Sequence, residues 1–377
     1  MAEPFPLIDI AGPPHARGIA YGKQAAPRIR RGVAHYSRQL ASMNLGRPEI
    51  ADLVRAYLPV IEEFDPTHIE EMRGIAEGAD MPFEDIVLLN ARTEILKLAE
   101  RRPQNDDDAC TGVVVLPEAS ADRRLLHAQN WDWKAECAHT AIVLRIRNED
   151  GPDILTFTEA GALGRSGLNS AGIAITANYL QSDRDYRDLG VPLALIRRKC
   201  LQEASPALAM RAVYATKKSA ANNMMVSAST PSGDGVAIDF ECAPDETFQV
   251  HAEGGLIVHA NHFVSPVALS KLRDTGISST ACSLYRDLRV KSLLAPHIGR
   301  ITTDHIKTAL ADDFATPWSV CRPPRKNLEG GETATVAMVV MQPSRGKMEV
   351  APLPALGLHF TTYTLNQDTA ATRAAAE

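Results

Sequence analysis

Several features that mark other protein classes are missing from this sequence of 377 residues. Its start has no basic segment followed by an apolar one, and no stretch approaches the ~20 apolar residues that a membrane span needs. Lysine and arginine form no runs interleaved with aromatic residues, and the net charge is −6. We therefore expect a cytoplasmic protein that binds neither a membrane nor a nucleic acid.

Motifs for disulfides, nucleotides and metals are also missing. The six cysteines are far apart and include no C-x-x-C pair, which predicts reduced thiols and argues against a zinc knuckle. The motifs G-x-x-x-x-G-K-[ST], G-x-S-x-G and H-E-x-x-H do not occur. His259 and His262 could bind a metal if their segment were helical, but it follows an apolar strand. We expect no metal and no cofactor.

What the sequence does contain is a change of pattern near residue 110. Apolar residues at three- and four-residue spacing predict helices over 16–44, 49–64, 66–78 and 82–99. An exposed polar loop is predicted at 102–108. Beyond it, strands are predicted over 112–116, 125–129, 141–147, 154–158, 172–178, 224–229, 235–241, 247–251, 256–259, 333–341, 347–351 and 358–362, and helices over 191–203, 206–216, 279–295 and 303–312.

This order of elements predicts an α+β fold. Strands alternate twice with pairs of helices, so we expect two sheets covered by two helical layers, a four-layer αββα sandwich with a helical N-terminal segment. At 45% hydrophobic residues the chain can bury a large core. No repeat or long linker divides it, which predicts one compact domain, and the Thr- and Ala-rich tail is expected to be disordered.

Cys110 is the cysteine at which an acidic loop, Asp106 to Asp108, gives way to a strand. A cysteine in such a place is most often a small buried core residue. If the bond between Ala109 and Cys110 were cleaved, however, Cys110 would gain an α-amine beside its thiol, and one residue would carry both nucleophile and base. An α-amine has a reference pKa of about 7.7–8.0, so it could accept the thiol proton near neutral pH.

Three polar residues near predicted strand ends are candidate partners of Cys110. Asp132 follows it at a separation suited to a hairpin, which would bring a carboxylate to the new ammonium. Asn261, just past an apolar run, carries a side-chain N–H of the kind that stabilises an oxyanion. Arg322 could favour the thiolate. Taken singly, Asp132 and Asn261 fit ordinary turn residues equally well.

Motifs along nearly the whole chain resemble those of the isopenicillin N acyltransferase family, whose members are autoproteolytic N-terminal-nucleophile hydrolases. The precursor-side motifs are GPPHARGIAYG at 12–22, RGIAEG at 73–78 and LLNARTE at 88–94. The catalytic-side motifs are QNWD at 129–132, TEAG at 158–161, GLNSAG at 167–172, ANH at 260–262 and VCR at 320–322. The cleaved bond would be the one before Cys110, where family members usually carry Gly and this chain has Ala109.

The resemblance implies a role for each candidate residue. Cys110 would be the nucleophile, first of self-cleavage and then of turnover. Asp132 would orient its α-amine, Asn261 would donate to the oxyanion, and Arg322 would set the charge around the thiolate. A second oxyanion donor is expected from the backbone at 178–179. Candidate substrate contacts are Trp133, Asn178, Tyr179 and Trp318, although each aromatic residue also fits an ordinary core or surface position.

The resemblance further implies two chains after cleavage, a helical one of 1–109 and an N-terminal-nucleophile hydrolase core of 110–377. The mature enzyme would hydrolyse a linear amide of a small molecule through a thioester. Two alternatives stay open: transfer of the acyl group from a CoA thioester, as co-substrate, to an amine, and an unprocessed relative without activity. The expected partners are the amide substrate and the protein's own 1–109 fragment, and a homo-oligomer is left open.

Overall fold

The computed structural model of this chain describes residues 3–99, 109–326 and 331–366. The predicted loop at 102–108 and the predicted disordered tail from 367 onward lie outside the described residues. Within them, helices α1 to α10 are, in chain order, Pro14–Ser42, Arg47–Phe64, Pro66–Ala79, Phe83–Asn90, Arg92–Ala99, Leu193–Gln202, Pro206–Tyr214, Pro266–Leu269, Ser283–Leu294 and Thr303–Leu310. No helix of the described part is both long and apolar enough to cross a membrane.

The strands of the described residues form two sheets. Strands β1 to β15 are Leu7–Ala11, Ala109–Val115, Leu126–Lys134, Ala141–Arg147, Ile154–Glu159, Ser166–Asn169, Ile173–Tyr179, Asn222–Ser229, Gly235–Cys242, Thr247–Val250, Leu256–His259, Arg325–Lys326, Glu332–Gln342, Lys347–Pro352 and Thr361–Thr364. The first sheet has the order β1-β4-β5-β6-β7-β8-β9-β10, and the second has the order β11-β2-β3-β13-β14-β15, with β12 on β13. Strand β1 pairs in parallel with β4, and the other pairs are antiparallel.

The two sheets pack face to face between two helical layers. Helices α1, α6 and α7 contact the first sheet, and α9 and α10 cover β2, β3, β11 and β13 of the second. Apolar side chains of both sheets meet in shared clusters, in one of which Val114 packs with Met225. Every residue of β2 and β3 is buried, because one face of each strand meets the first sheet and the other meets α9 and α10. The predicted αββα sandwich is therefore confirmed.

The structure differs from the sequence analysis at two places. The helix predicted over 82–99 divides into α4 and α5 beside Asn90, whose buried side chain donates to the Gly161 carbonyl and accepts from the Leu163 amide instead of projecting from a regular helix face. Strand β1 was missed, because its partner β4 lies more than 130 residues away and leaves no local signal.

The precursor-side motifs 12–22 and 73–78 have a packing role, since they form the crossing of α1 and α3. The helices approach so closely that a β-carbon at Gly18 would lie 2.3 Å from the Glu71 carbonyl oxygen. A β-carbon at Gly74 would lie 2.2 Å from the carbonyl oxygen of His15. Glycine is thus required here by backbone contact between helices, because any side chain would push them apart.

We expect Gly74→Ala to destabilise the protein by about 3 kcal/mol, since the added methyl group meets a backbone atom that cannot move alone. The thermal unfolding midpoint should fall by several degrees. Gly151→Ala is the matched control, because its β-carbon would find its nearest neighbour 4.0 Å away. Equal midpoints for the two variants would show that the crossing tolerates a side chain.

Candidate active site

Cys110 is the second residue of β2, one strand in from the edge of the second sheet. It pairs with Trp131 of β3, and Ala109 pairs with Asp132, so the strand begins before the residue at which it was predicted to begin. Side chains alternate along a strand, so the thiol points to the inner face together with Trp131. Cys110 is 5% exposed and lies between the two sheets.

The backbone of Cys110 is held by Asn261 and Arg286. Its N–H donates to Asn261 Oδ1 at 2.8 Å, and its carbonyl accepts from Arg286 Nη1 at 2.5 Å. Arg286 also donates to Thr111 Oγ1 at 2.8 Å and to Asn261 Oδ1 at 2.7 Å. Two donors converge on Asn261 Oδ1, and this fixes the orientation of the amide. The backbone of Cys110 is therefore held by polar contacts from a loop residue and from a residue of α9.

The structure places the predicted oxyanion residues in other hydrogen bonds. Asn261 turns its oxygen, not its N–H, toward Cys110, and its Nδ2 donates to the Tyr179 carbonyl at 2.8 Å. The backbone N–H of Asn178 donates to Asn223 Oδ1 at 2.8 Å. The oxyanion roles of Asn261 and of the backbone at 178–179 stay predictions, and in the structure Asn261 Oδ1 acts as an acceptor.

Arg165 is the arginine beside the thiol. Its Nη2 lies 3.9 Å from Cys110 Sγ, and its guanidinium carbon lies 4.1 Å from the centre of the Trp131 ring. Burial raises the pKa of the Cys110 thiol, while the positive charges of Arg165 and Arg286 act in the opposite direction. The sequence analysis did not identify Arg165, which lies in the glycine-rich segment that leads into β6. Its position directly before a strand between two glycine motifs was the signal available.

Asp132 and Arg322 meet each other on the opposite face of the strand. Asp132 Oδ1 accepts from Thr335 Oγ1 at 2.7 Å, and its Oδ2 lies 3.5 Å from Arg322 Nε. Arg322 Nη2 lies 2.8 Å from the sulfur of Cys282. The two predicted partners are thus adjacent to each other and near the backbone of Cys110, whereas the thiol faces away from them. Their catalytic roles stay predictions.

A cavity of about 40 Å³ opens next to Cys110. Trp133 and Tyr179, two of the predicted substrate contacts, line it. Asn178 lies deeper, where its Nδ2 donates to the His259 carbonyl. Trp318 is 43% exposed and stacks against Arg325, so it does not belong to the lining found in the described chain. The described lining residues are Arg92, Thr93, Ala109, Cys110, Trp131, Asp132, Trp133, Arg165, Ala177, Tyr179, Leu193 and Arg197.

The catalytic-side motif TEAG at 158–161 ties the helical segment to the sheets. Glu159 accepts from Arg92 Nε at 2.6 Å and from the Tyr36 hydroxyl at 2.7 Å, and all three side chains are buried. Trp133 Nε1 donates to the same Tyr36 hydroxyl. Tyr36 and Arg92 precede Cys110 in the chain and Glu159 follows it, so this network joins the helical N-terminal segment to the sheets.

The two histidines near Asn261 are engaged in hydrogen bonds. His259 Nε2 lies 2.8 Å from Glu241 Oε1, and His262 Nδ1 lies 2.7 Å from the Ser283 hydroxyl. Although burial disfavours its charge, Asp239 and Glu241 raise the pKa of His259 to about 9. His259 is thus a buried cation, and its contact with Glu241 holds the end of β11 just before Asn261.

An αββα sandwich with a cysteine near the start of an inner strand defines the class of this protein, the N-terminal-nucleophile hydrolase fold. The sequence model described as "Acyl-coenzyme A:6-aminopenicillanic acid acyl-transferase" matches residues 119–352, more than half of the chain. This protein belongs to that family. The match includes Asp132, Asn261 and Arg322 and begins after Cys110.

Two relatives illustrate the range of similarity. The acyl-coenzyme A:6-aminopenicillanic-acid-acyltransferase 40 kDa form of Emericella nidulans is 29% identical over 334 residues, 86% of this chain and 87% of the relative. An uncharacterized protein of Archaeoglobus fulgidus is 25% identical over 190 residues, 45% of this chain and 32% of the relative. The first of these alignments is long enough to include both sides of the proposed cleavage site.

Solved structures show weaker likenesses. The C2A mutant of conjugated bile acid hydrolase from Clostridium perfringens has a TM-score of 0.42 at 10% identity, covering 69% of this chain and 93% of that one. Penicillin V acylase from Agrobacterium tumefaciens has a TM-score of 0.39 at 14% identity, covering 69% and 87%. Scores this low carry no weight for the activity of this protein.

Proposed function

We propose that this protein is a self-processing amidase that hydrolyses a linear amide bond of a small molecule, with Cys110 as its N-terminal nucleophile. The observation that carries the proposal is the position of Cys110, whose thiol faces a cavity while its nitrogen is held by Asn261 at 2.8 Å. Cys110 thus presents its thiol to the cavity, and its nitrogen, which cleavage would turn into an α-amine, to the Asn261 side-chain oxygen. Membership of an acyltransferase family supports an acyl-enzyme mechanism.

Self-cleavage in this proposal starts with attack of Cys110 Sγ on the carbonyl carbon of Ala109. A C–S bond forms, the peptide C–N bond breaks, and the thiol proton passes to the Cys110 nitrogen, which becomes the α-amine. Water then hydrolyses the thioester and leaves a carboxylate on Ala109. Asn261 Oδ1 supports this step, because it accepts a hydrogen bond from the nitrogen that becomes the leaving amine.

Turnover repeats the same chemistry on a substrate amide. The α-amine of Cys110 takes the thiol proton, sulfur attacks the substrate carbonyl, and the proton is then given to the departing amine. Water hydrolyses the thioester, which yields the acid and regenerates the thiol. The positive charge of Arg165 supports the attack, because it lies 3.9 Å from sulfur and opposes the effect of burial, which otherwise raises the pKa of the thiol.

The runner-up is transfer of the acyl group from a CoA thioester to an amine. The name of the Emericella nidulans relative favours it. Both reactions share the thioester on Cys110 and differ in whether water or an amine attacks it. We prefer hydrolysis because it needs no specialised second site for an acceptor amine.

Product analysis tests the proposal. Purified protein is incubated with a panel of N-acyl amides, with and without CoA thioesters and amine acceptors, and the products are identified by mass spectrometry. We expect release of free acid and amine in equal amounts, with no need for a CoA thioester. Acyl-amine products that exceed free acid at millimolar acceptor would favour the transferase instead.

A further inference from the structure

Two arginines beside Cys110 have no acidic partner among the described residues. Arg165 and Arg197 both line the cavity, and neither forms an ion pair with any carboxylate in the described chain. Arg197, on α6, is 7% exposed, and its Nε has no hydrogen-bond partner there. The Arg165 guanidinium contacts the thiol sulfur and the Trp131 ring. Both cations therefore present unused donors to the same small space.

The neighbouring charges do not neutralise these arginines. Arg92, the third arginine of the lining, is paired with Glu159 at 2.6 Å. Glu94, which lines the adjoining cavity with Arg197, accepts the Leu193 N–H at 2.8 Å instead of a guanidinium. The carboxylate of Asp132 faces Arg322. Counted over the described residues, the lining of the space beside the thiol thus carries an excess of positive charge.

A buried guanidinium without a partner is unfavourable, because its lost hydration is not replaced. Burial lowers the pKa of Arg197 to about 9. An arginine presents a planar fork of N–H donors that matches the two oxygens of a carboxylate. A ligand carboxylate in this cavity would supply the acceptors that the described chain does not.

We propose that Arg197 and Arg165 bind a carboxylate of the substrate, so that the amides cleaved are N-acyl α-amino acids. This inference rests on the proposed amidase function and adds the substrate class. The distance supports a carboxylate close to the scissile bond. Arg165 lies 3.9 Å from the attacking sulfur, and sulfur lies ~3 Å from the carbonyl carbon it attacks, so the anion and the carbonyl are separated by a few bonds.

The test compares matched substrates on matched variants. Each N-acyl α-amino acid is assayed beside its primary amide, and kcat/KM is measured for both. We expect the wild type to prefer the acid by about 10- to 100-fold, the usual worth of a hydrogen bond to a charged group. Arg197→Gln should reduce this preference to a few-fold, and Arg197→Lys should restore part of it because it keeps the charge.

Arg211→Gln is the control, because Arg211 lies exposed on α7 and should leave the preference at the wild-type value. Equal kcat/KM for acid and primary amide in the wild type would overturn the carboxylate site while leaving the amidase intact. If no amide of either kind is cleaved, the amidase proposal fails. Calorimetric titration of N-acyl α-amino acid into wild type and Arg197→Gln then decides the site alone, and equal affinities would overturn it.

Discussion

Cys110→Ala should leave a single chain of 40.9 kDa that cleaves no amide. Alanine lacks the sulfur that would attack the Ala109 carbonyl, so neither the N→S shift nor the later thioester can form. The variant should still fold, because the loss of one small buried thiol costs on the order of 1 kcal/mol. Intact-mass analysis of purified protein, before and after incubation, measures the outcome directly.

The wild type should instead show two fragments that join at residues 109 and 110. Cys200→Ala is the matched control, because Cys200 is equally buried but lies on α6 outside the cavity lining. It should be cleaved like the wild type. An uncleaved wild type would favour the unprocessed relative, and amide turnover by Cys110→Ala at the wild-type rate would exclude Cys110 as the nucleophile.

The layers of the fold could be predicted because their signals are local. Helices α1 to α3 repeat apolar residues along one face, and the strands from β2 onward are short apolar segments between turns. Pairing over long distances leaves no such signal, which is why β1 escaped prediction. The split between α4 and α5 escaped it too, because the cause is a tertiary contact of Asn90 with the loop at 161–163.

The candidate site was predicted in its residues more than in its geometry. The motifs pointed to Cys110 and Asn261, which the structure brings into contact. They also pointed to Asp132. Side chains alternate along a strand, so Asp132 had to lie on the face opposite to Trp131 and Trp133. Cys110 pairs with Trp131 and therefore shares its face. The pairing register between β2 and β3 decides that the Cys110 thiol and the Asp132 carboxylate lie on opposite faces. That register could not be read from one sequence.

The arginines around Cys110 escaped prediction for another reason. Arg197 and Arg286 lie on helices, where a charged residue is usually solvent-exposed, and Arg165 lies in a glycine-rich segment. Arg197 and Arg286 are buried because the helical layers pack onto the sheets. The arginines thus contact different parts of Cys110. Arg165 and Arg197 line the cavity beside the thiol, and Arg286 binds the backbone.

Arg286 should therefore strongly accelerate self-cleavage, although it contacts the backbone of Cys110 and not the thiol. It is fully buried and bridges the Cys110 carbonyl, Thr111 Oγ1 and Asn261 Oδ1. In Arg286→Met the Cys110 carbonyl and Thr111 Oγ1 lose the guanidinium donor, while Asn261 Oδ1 keeps only the Cys110 N–H. A buried acceptor left without its donor costs about 1–3 kcal/mol. We expect stability to fall by about 3 kcal/mol and self-cleavage to slow by about 100-fold, because the scissile peptide is no longer fixed.

Two variants separate this bridging role from a general loss of stability. Arg289→Met, three residues along α9, removes a partly exposed pair with Asp312 and should be cleaved like the wild type. Arg286→Lys keeps the charge but cannot span three acceptors, so it should fold better than Arg286→Met while self-cleavage remains slow. The readout is the rate of fragment appearance beside the thermal midpoint. Wild-type rates in Arg286→Met would mean that Asn261 alone suffices to position Cys110 for attack.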